Sequence, residues 1–241
     1  MRKKTLLVAL LAVLIPLAAR ADDPKVGFVD RVYKSGDKEY KYVLFVPHDY
    51  KPDSEPPVIL FLHGKGSGGT DGKKQARVGL AAAIRKDEKK FPSVVVFPQS
   101  EKDTWAANSD DAKRAIDILA EVQKEYKTDS KRVYLTGLSM GGFGTWALAA
   151  KYPDKWAAIV PICGGGNAQT AAKIKDIPCW CFHGDADPIV DVEQSRRMIK
   201  ALKDAGGSPK YDEFEGVGHN AWDRAYAKKE LYEWLLMQKL K

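Results

Sequence analysis

Five short runs, at 57–62 (PVILFL), 94–97 (VVVF), 132–136 (RVYLT), 157–161 (AAIVP) and 179–183 (CWCFH), are almost wholly apolar. A strand with one wet face alternates polar and apolar side chains, so runs of this kind need cover on both faces. Between them lie longer segments with helical periodicity, at 75–86, from Gly137 through Ala150, and at 191–205. Another carries Ala112, Ala115, Ile116, Leu119, Val122 and Tyr126 on one face, behind Asn108 or Ser109 as a cap. Strands alternating with helices predict an α/β fold, a mostly parallel central sheet with helices on both faces. Residues 26–34 and 40–46 alternate around Ser35-Gly36-Asp37 and predict an N-terminal antiparallel hairpin at the sheet edge. A last strand at 210–215 and a last helix at 222–240 complete the order. No repeat or composition break divides the chain, so residues 22–241 read as a single domain.

The first 21 residues are of another kind. Arg2-Lys3-Lys4, an apolar run from Leu6 to Leu17 and Ala19-Arg20-Ala21 together read as a secretory signal with its cleavage site. The apolar run is too short to span a bilayer as a helix. The expectation is an exported protein, periplasmic or extracellular, with no stable membrane insertion once the signal is cut. The formal charge of +7 falls to +3 without these residues, because they hold four basic and no acidic side chains. Lysines and acids interleave through the remainder, which removes the compositional case for a nucleic-acid partner. Cys163, Cys179 and Cys181 are the three cysteines. Cys179 and Cys181, two apart on one strand, are poorly placed to bridge each other, which leaves a bridge from Cys163 to one of them or three buried thiols. A lone Cys-x-Cys lacks the second pair that a zinc site needs, so no metal is expected.

The most specific motif is Gly137-Leu138-Ser139-Met140-Gly141, set between a strand and a helix. A chain with this many serines and glycines would contain Gly-x-Ser-x-Gly by chance roughly 0.07 times, and the strand-turn-helix setting lowers that further. A serine hydroxyl is a weak nucleophile without a base to take its proton and a third group to orient that base. Of four histidines, His48 lies beyond the hairpin, and His63 and His183 end buried strands. His219 sits in a loop between the last strand and the last helix, and completes the order Ser, acid, His. The acid between them comes from HGDADPIV. Asp187, stiffened by Pro188, is favoured over Asp185, which is better placed to hold the loop; Asp191 suits a helix cap. An oxyanion needs two N–H donors. Met140, directly after Ser139, supplies one, and Lys65, in the Gly-rich loop HGKGSGG, the other. That loop lacks both nucleotide-binding glycine patterns, so no nucleotide cofactor is expected, and ester chemistry on these residues requires none.

LFLHGKGSGG, GLSMGGFGTWALAAKYPD, HGDADPIV and GVGH together resemble the α/β-hydrolase superfamily. The likeness is strongest to exported, lidless serine esterases: feruloyl and acetylxylan esterases, polyhydroxyalkanoate depolymerase-like enzymes and the phospholipase/carboxylesterase group. It runs from about Val26 to the C-terminus and implies a catalytic triad of Ser139, Asp187 and His219, with Met140 and Lys65 as oxyanion donors. Dienelactone hydrolases are similar in size but carry cysteine where this chain has Ser139, a departure that argues for ordinary ester hydrolysis.

The segment 161–178 is too short for a lid domain, so an open cleft for a bulky or polymer-attached ester is expected in place of an engulfed lipid chain. Trp105 and Trp222 fall on loops at the rim, where each either stacks on a sugar or aromatic ring or packs its own loop down. Two other readings stand beside the esterase. One is a peptidase of the prolyl oligopeptidase type, which shares this catalytic domain but usually carries an extra domain for which there is no room here. The other is a non-catalytic binding protein on the same scaffold, which would have no need of the triad residues.

Overall fold

The computed structural model describes residues 25–241; the signal sequence read at 1–21 lies outside them. Eight strands form one sheet: β1 (Gly27–Ser35), β2 (Lys38–Val46), β3 (Val58–Leu62), β4 (Val94–Phe97), β5 (Val133–Leu138), β6 (Ala158–Ile162), β7 (Trp180–Gly184) and β8 (Lys210–Phe214). Their spatial order is β1-β2-β4-β3-β5-β6-β7-β8. β2 pairs antiparallel with both β1 and β4, and every other pairing is parallel. This is an α/β-hydrolase fold with an N-terminal antiparallel hairpin and no lid domain; only α4 (Ala171–Ile174) and a short 3₁₀ turn lie between β6 and β7.

β3, β4 and β5 are buried at every position, which is why their sequences show no alternation. On one face lie α2 (Asp110–Glu125), α3 (Met140–Lys151), α4 and α5 (Glu193–Asp204); on the other lie α1 (Leu80–Ile84), α6 (Ala221–Ala227) and α7 (Lys229–Met237). Ser109 caps α2, its Oγ accepting the Ala112 N–H at 3.1 Å. None of these helices is long and apolar enough to cross a membrane.

Two helices expected to be continuous are broken. The segment 75–86 becomes a 3₁₀ turn and the short α1, parted at Gly79, whose φ of 60° bends the chain over Phe61 and Leu138. The last helix is split at Lys228, which is extended and sends its ammonium to Asp212 at 2.9 Å. Tyr232 Oη donates to the Tyr226 carbonyl beside the break at 2.7 Å, so that buried acceptor is satisfied. The three cysteines are free and buried, Cys163 in the core layer on one face and Cys179 and Cys181 in the other. The alternative of a bridge from Cys163 is therefore not the one adopted.

The tightest packing lies where β5 hands over to α3. A Cβ on Gly141 would collide with the Leu62 carbonyl, and one on Gly137 with the Gly141 carbonyl. Backbone cannot retreat as a flexible side chain would. Gly141→Ala is expected to cost about 3 kcal/mol or more, at or beyond the upper end for overpacking, in urea unfolding. A loss under about 0.5 kcal/mol, the scale of an ordinary surface change, would contradict this account of the contact.

Candidate active site

Ser139 sits between β5 and α3 with φ 53° and ψ −120°, a conformation that side-chain-bearing residues rarely adopt. The turn is held in place by Ser139 N–H donating to Ile162 O at 2.9 Å and by the glycine contacts on either side. At 2.8 Å from Ser139 Oγ lies His219 Nε2, and His219 Nδ1 is 2.7 Å from Asp187 Oδ2. The structure thus brings Ser139, His219 and Asp187 into one hydrogen-bonded row. Asp187 Oδ2 accepts from Nδ1–H, which leaves Nε2 free to accept the Ser139 proton. Asp187 Oδ1 accepts the N–H groups of Ile189 and Val190 at 2.9 and 3.0 Å. Burial alone would raise the Asp187 carboxyl, but the bonds from His219, Val190 and Ile189 prevail and hold it below the ordinary carboxylate range.

The loops carrying acid and base are laced together. Ala186 N–H donates to Val217 O at 3.1 Å, and Gly216 N–H to Asp185 Oδ1 at 2.7 Å. Asp185 thus holds the His219 loop through a backbone amide and lies outside the row. Asp191 Oδ1 accepts the Glu193 N–H at 2.9 Å at the start of α5. His183, wholly buried, places Nε2 2.9 Å from Val190 O and 3.2 Å from Asp187 Oδ2, while its Nδ1 meets Ser195 Oγ at 2.7 Å. It pins the turn on which Asp187 is carried.

His63 orders the glycine-rich loop. Its Nε2 accepts the Ser100 N–H at 2.9 Å, so the ring proton is on Nδ1, which donates to Gly64 O at 2.8 Å. That bond turns the Gly64 carbonyl back toward His63, and the Lys65 N–H, trans across the same peptide, points the opposite way. The Lys65 N–H has no acceptor among the described residues. The Met140 N–H, first in α3, has no intrahelical acceptor either.

Trp105 is 2% exposed, its indole N–H donates to His63 O at 2.9 Å, and its ring stands edge-on to His63. It packs its loop against the His63 end of the glycine-rich loop while forming part of a cavity wall. Trp222, half-buried, stands edge-on against His219 with centroids 5.3 Å apart, outside that cavity. Under Trp105 lies a network that the sequence reading did not name. Ser100 Oγ donates to Asp111 Oδ2 at 2.5 Å, Arg114 pairs with Asp111, and Arg114 lies over the Tyr40 ring. Its only trace in sequence is a carboxylate and a guanidinium three apart on the buried face of α2.

A groove of about 860 Å³ opens beside Ser139. Its floor is α3, its walls the 103–107 and 165–170 loops, and Phe143 and Ile189 flank it. One group of metal-ligand types occurs among the described residues, Cys163 with Asp187 and His219, their donor atoms within 4.8 Å of one another. Asp187 and His219 are committed to each other, and burial pushes the Cys163 thiol up so that it keeps its proton, so the set does not suit a resident ion.

Burial lowers His63 and His183 below 6.5, outweighing their hydrogen bonds to the Gly64 and Val190 carbonyls, which act the other way. In the unfolded chain both take up protons near 6.5, while the folded state resists. The stability they contribute is therefore complete above that pH and is lost as pH falls through 6.5 toward their folded values. The melting temperature should fall between pH 7 and 5, before carboxylates titrate, and His63→Gln or His183→Gln should flatten the slope. A flat profile in the unsubstituted protein would refute this.

Known proteins with similar sequences include esterases. A bifunctional acetylxylan esterase/xylanase of Neocallimastix patriciarum is 30% identical over 67% of this chain and 23% of its own length. A probable feruloyl esterase C of Aspergillus flavus is 25% identical over 67% of this chain and 59% of its own. The chain thus spans between about a quarter and three fifths of these relatives' lengths. The crystal structure of a thermostable esterase superposes with a TM-score of 0.81 at 35% identity, over 88% of this chain and 63% of that one. The model of the dienelactone hydrolase family matches residues 42–230, and the chain, with Ser139 at its strand-to-helix turn, belongs to that family.

Proposed function

We propose that this protein is an exported serine esterase that cleaves carboxylic esters through an acyl-enzyme, acting on carbohydrate-linked acyl or feruloyl groups. The observation that carries the reading is the row Ser139–His219–Asp187 at 2.8 and 2.7 Å, with the serine presented on a strained turn. Esterase names among the relatives support the reaction class. In this reading residues 1–21 are the export signal and residues 22–241 the catalytic domain.

His219 Nε2 takes the Ser139 proton as Oγ attacks the ester carbonyl. The resulting oxyanion lies against the N–H groups of Met140 and Lys65, and His219 then returns the proton to the departing alcohol. Water, deprotonated by His219 in turn, attacks the acyl-serine and releases the acid. Asp187 stays ionised throughout, orienting His219 and stabilising its charged form. Every proton is accounted for by these residues, so the reaction calls for no cofactor.

Hydrolysis of p-nitrophenyl acetate tests the reading. Ser139→Ala and Asp187→Asn should each lose about 10⁴-fold or more in kcat. Equal rates in the parent and Ser139→Ala would sink the esterase reading. His63→Leu frees the Gly64–Lys65 peptide to turn, and should lower kcat by up to the roughly 10²–10³-fold that loss of one oxyanion donor costs, with KM little changed. Export is checked by sequencing the N-terminus of the secreted protein, expected to begin at Asp22.

A further inference from the structure

The groove beside Ser139 has a direction. Along α3 its floor is formed by Met140, Phe143, Gly144, Ala147, Ala150 and Lys151, positions separated by three or four residues that form one stripe of the helix. At 1.5 Å per residue this stripe is about 16 Å long, from Met140 to Lys151. Small side chains at Gly144, Ala147 and Ala150 keep the floor low. Phe143 on α3 and Ile189 on the loop before α5 are 39% and 71% exposed and both border the groove, adjoining apolar surface that a ligand lying in it would cover. Ile189 is held firmly there, because its own N–H donates to Asp187.

The proton pathway decides which half of an ester lies in the groove. The leaving oxygen must come within reach of His219 Nε2, and the oxyanion must face Met140 and Lys65. The remaining substituent of the tetrahedral carbon is the acyl chain, and it projects away from His219. Lys65, Ser139 and Met140 line the groove, while His219 and Trp222 do not. Resting on the esterase reading above, we infer that the α3 groove is the acyl subsite, taking acyl groups with an extended apolar body of up to about 16 Å, the length of the stripe. The alcohol leaves on the His219 side. An acetyl group would fill only the first turn of a groove of about 860 Å³, so selectivity resides in the acyl part.

The test holds one half of the ester constant while the other varies. The ratio of kcat/KM for p-nitrophenyl 6-phenylhexanoate to that for p-nitrophenyl acetate should exceed ten in the unsubstituted protein. Ala147→Trp, placed about 12 Å along the axis from Ser139, should reduce that ratio at least tenfold. Ile189→Ala, which removes a wall without filling the floor, should reduce it about threefold or more by the same loss of apolar contact. Phenyl acetate and 2-naphthyl acetate, which differ only in the alcohol, should keep the ratio they have in the parent when either variant is made. A preference for acetate in the parent, or an Ala147→Trp effect confined to the alcohol series, overturns the assignment while Ser139-dependent acetate turnover leaves the esterase reading standing. Loss of Ser139 dependence overturns both.

Discussion

Backbone pressed directly on backbone, where β5 passes into α3, is the contact on which the rest of this molecule depends. Gly141 lies against the Leu62 carbonyl, Gly142 against that of Ile162, and Gly137 against Gly141 itself. No side chain separates these elements, so the strained dihedrals of Ser139 are imposed by β3, β5 and β6 at once. The same contact aims the first N–H groups of α3 at the space above the sheet. It also brings the end of β3, and with it the His63–Lys65 loop, alongside Ser139. A single rigid junction therefore sets Ser139, the Met140 N–H and the approach of the Lys65 N–H.

Around that junction the four histidines are put to different uses by their surroundings. His48 is half-exposed and meets Glu88 at 2.8 Å. His63 and His183 are completely buried and neutral, serving as rigid connectors between loops. Each uses both ring nitrogens on fixed partners, one ring beside the Gly64–Lys65 peptide and one beside Asp187. His219 alone keeps Nε2 turned to a group that carries a transferable proton. The distinction lies in what faces the second nitrogen: a backbone group or the buried Ser195 for the buried pair, Ser139 on its strained turn for His219.

Much of this was legible in the sequence, and the reasons are local. Uninterrupted apolar runs such as VVVF have one physical cause, a strand covered on both faces, and each of the eight strands begins and ends within one or two residues of its expected place. The grouping of Ser139, Asp187 and His219 could be read because the glycine spacing marks a strained turn and only one histidine followed an acid in a late loop. What escaped depends on contacts distant in the chain. The break at Gly79 answers to Phe61 and Leu138, and Trp105 is turned inward by the His63 carbonyl. The Asp111–Arg114 pair looks in sequence like ordinary charge on a helix. The groove arises only when Ala147 and Ala150 are set opposite loops some twenty to forty residues away.

The placement of the three thiols bears on where such a chain is able to survive. The sheet itself stands between Cys163 and the other two, Cys179 and Cys181, which flank Trp180 at the start of β7. All three are sealed from solvent, and burial holds Cys181 at about 12 and pushes the other two up as well, so scarcely any thiolate forms at neutral pH. Glutathione and neighbouring thiols find no cysteine sulfur to attack while the fold is closed. The thiols of the folded chain therefore stay as they are in reducing and in oxidising surroundings alike, and the fold needs no disulfide to close it.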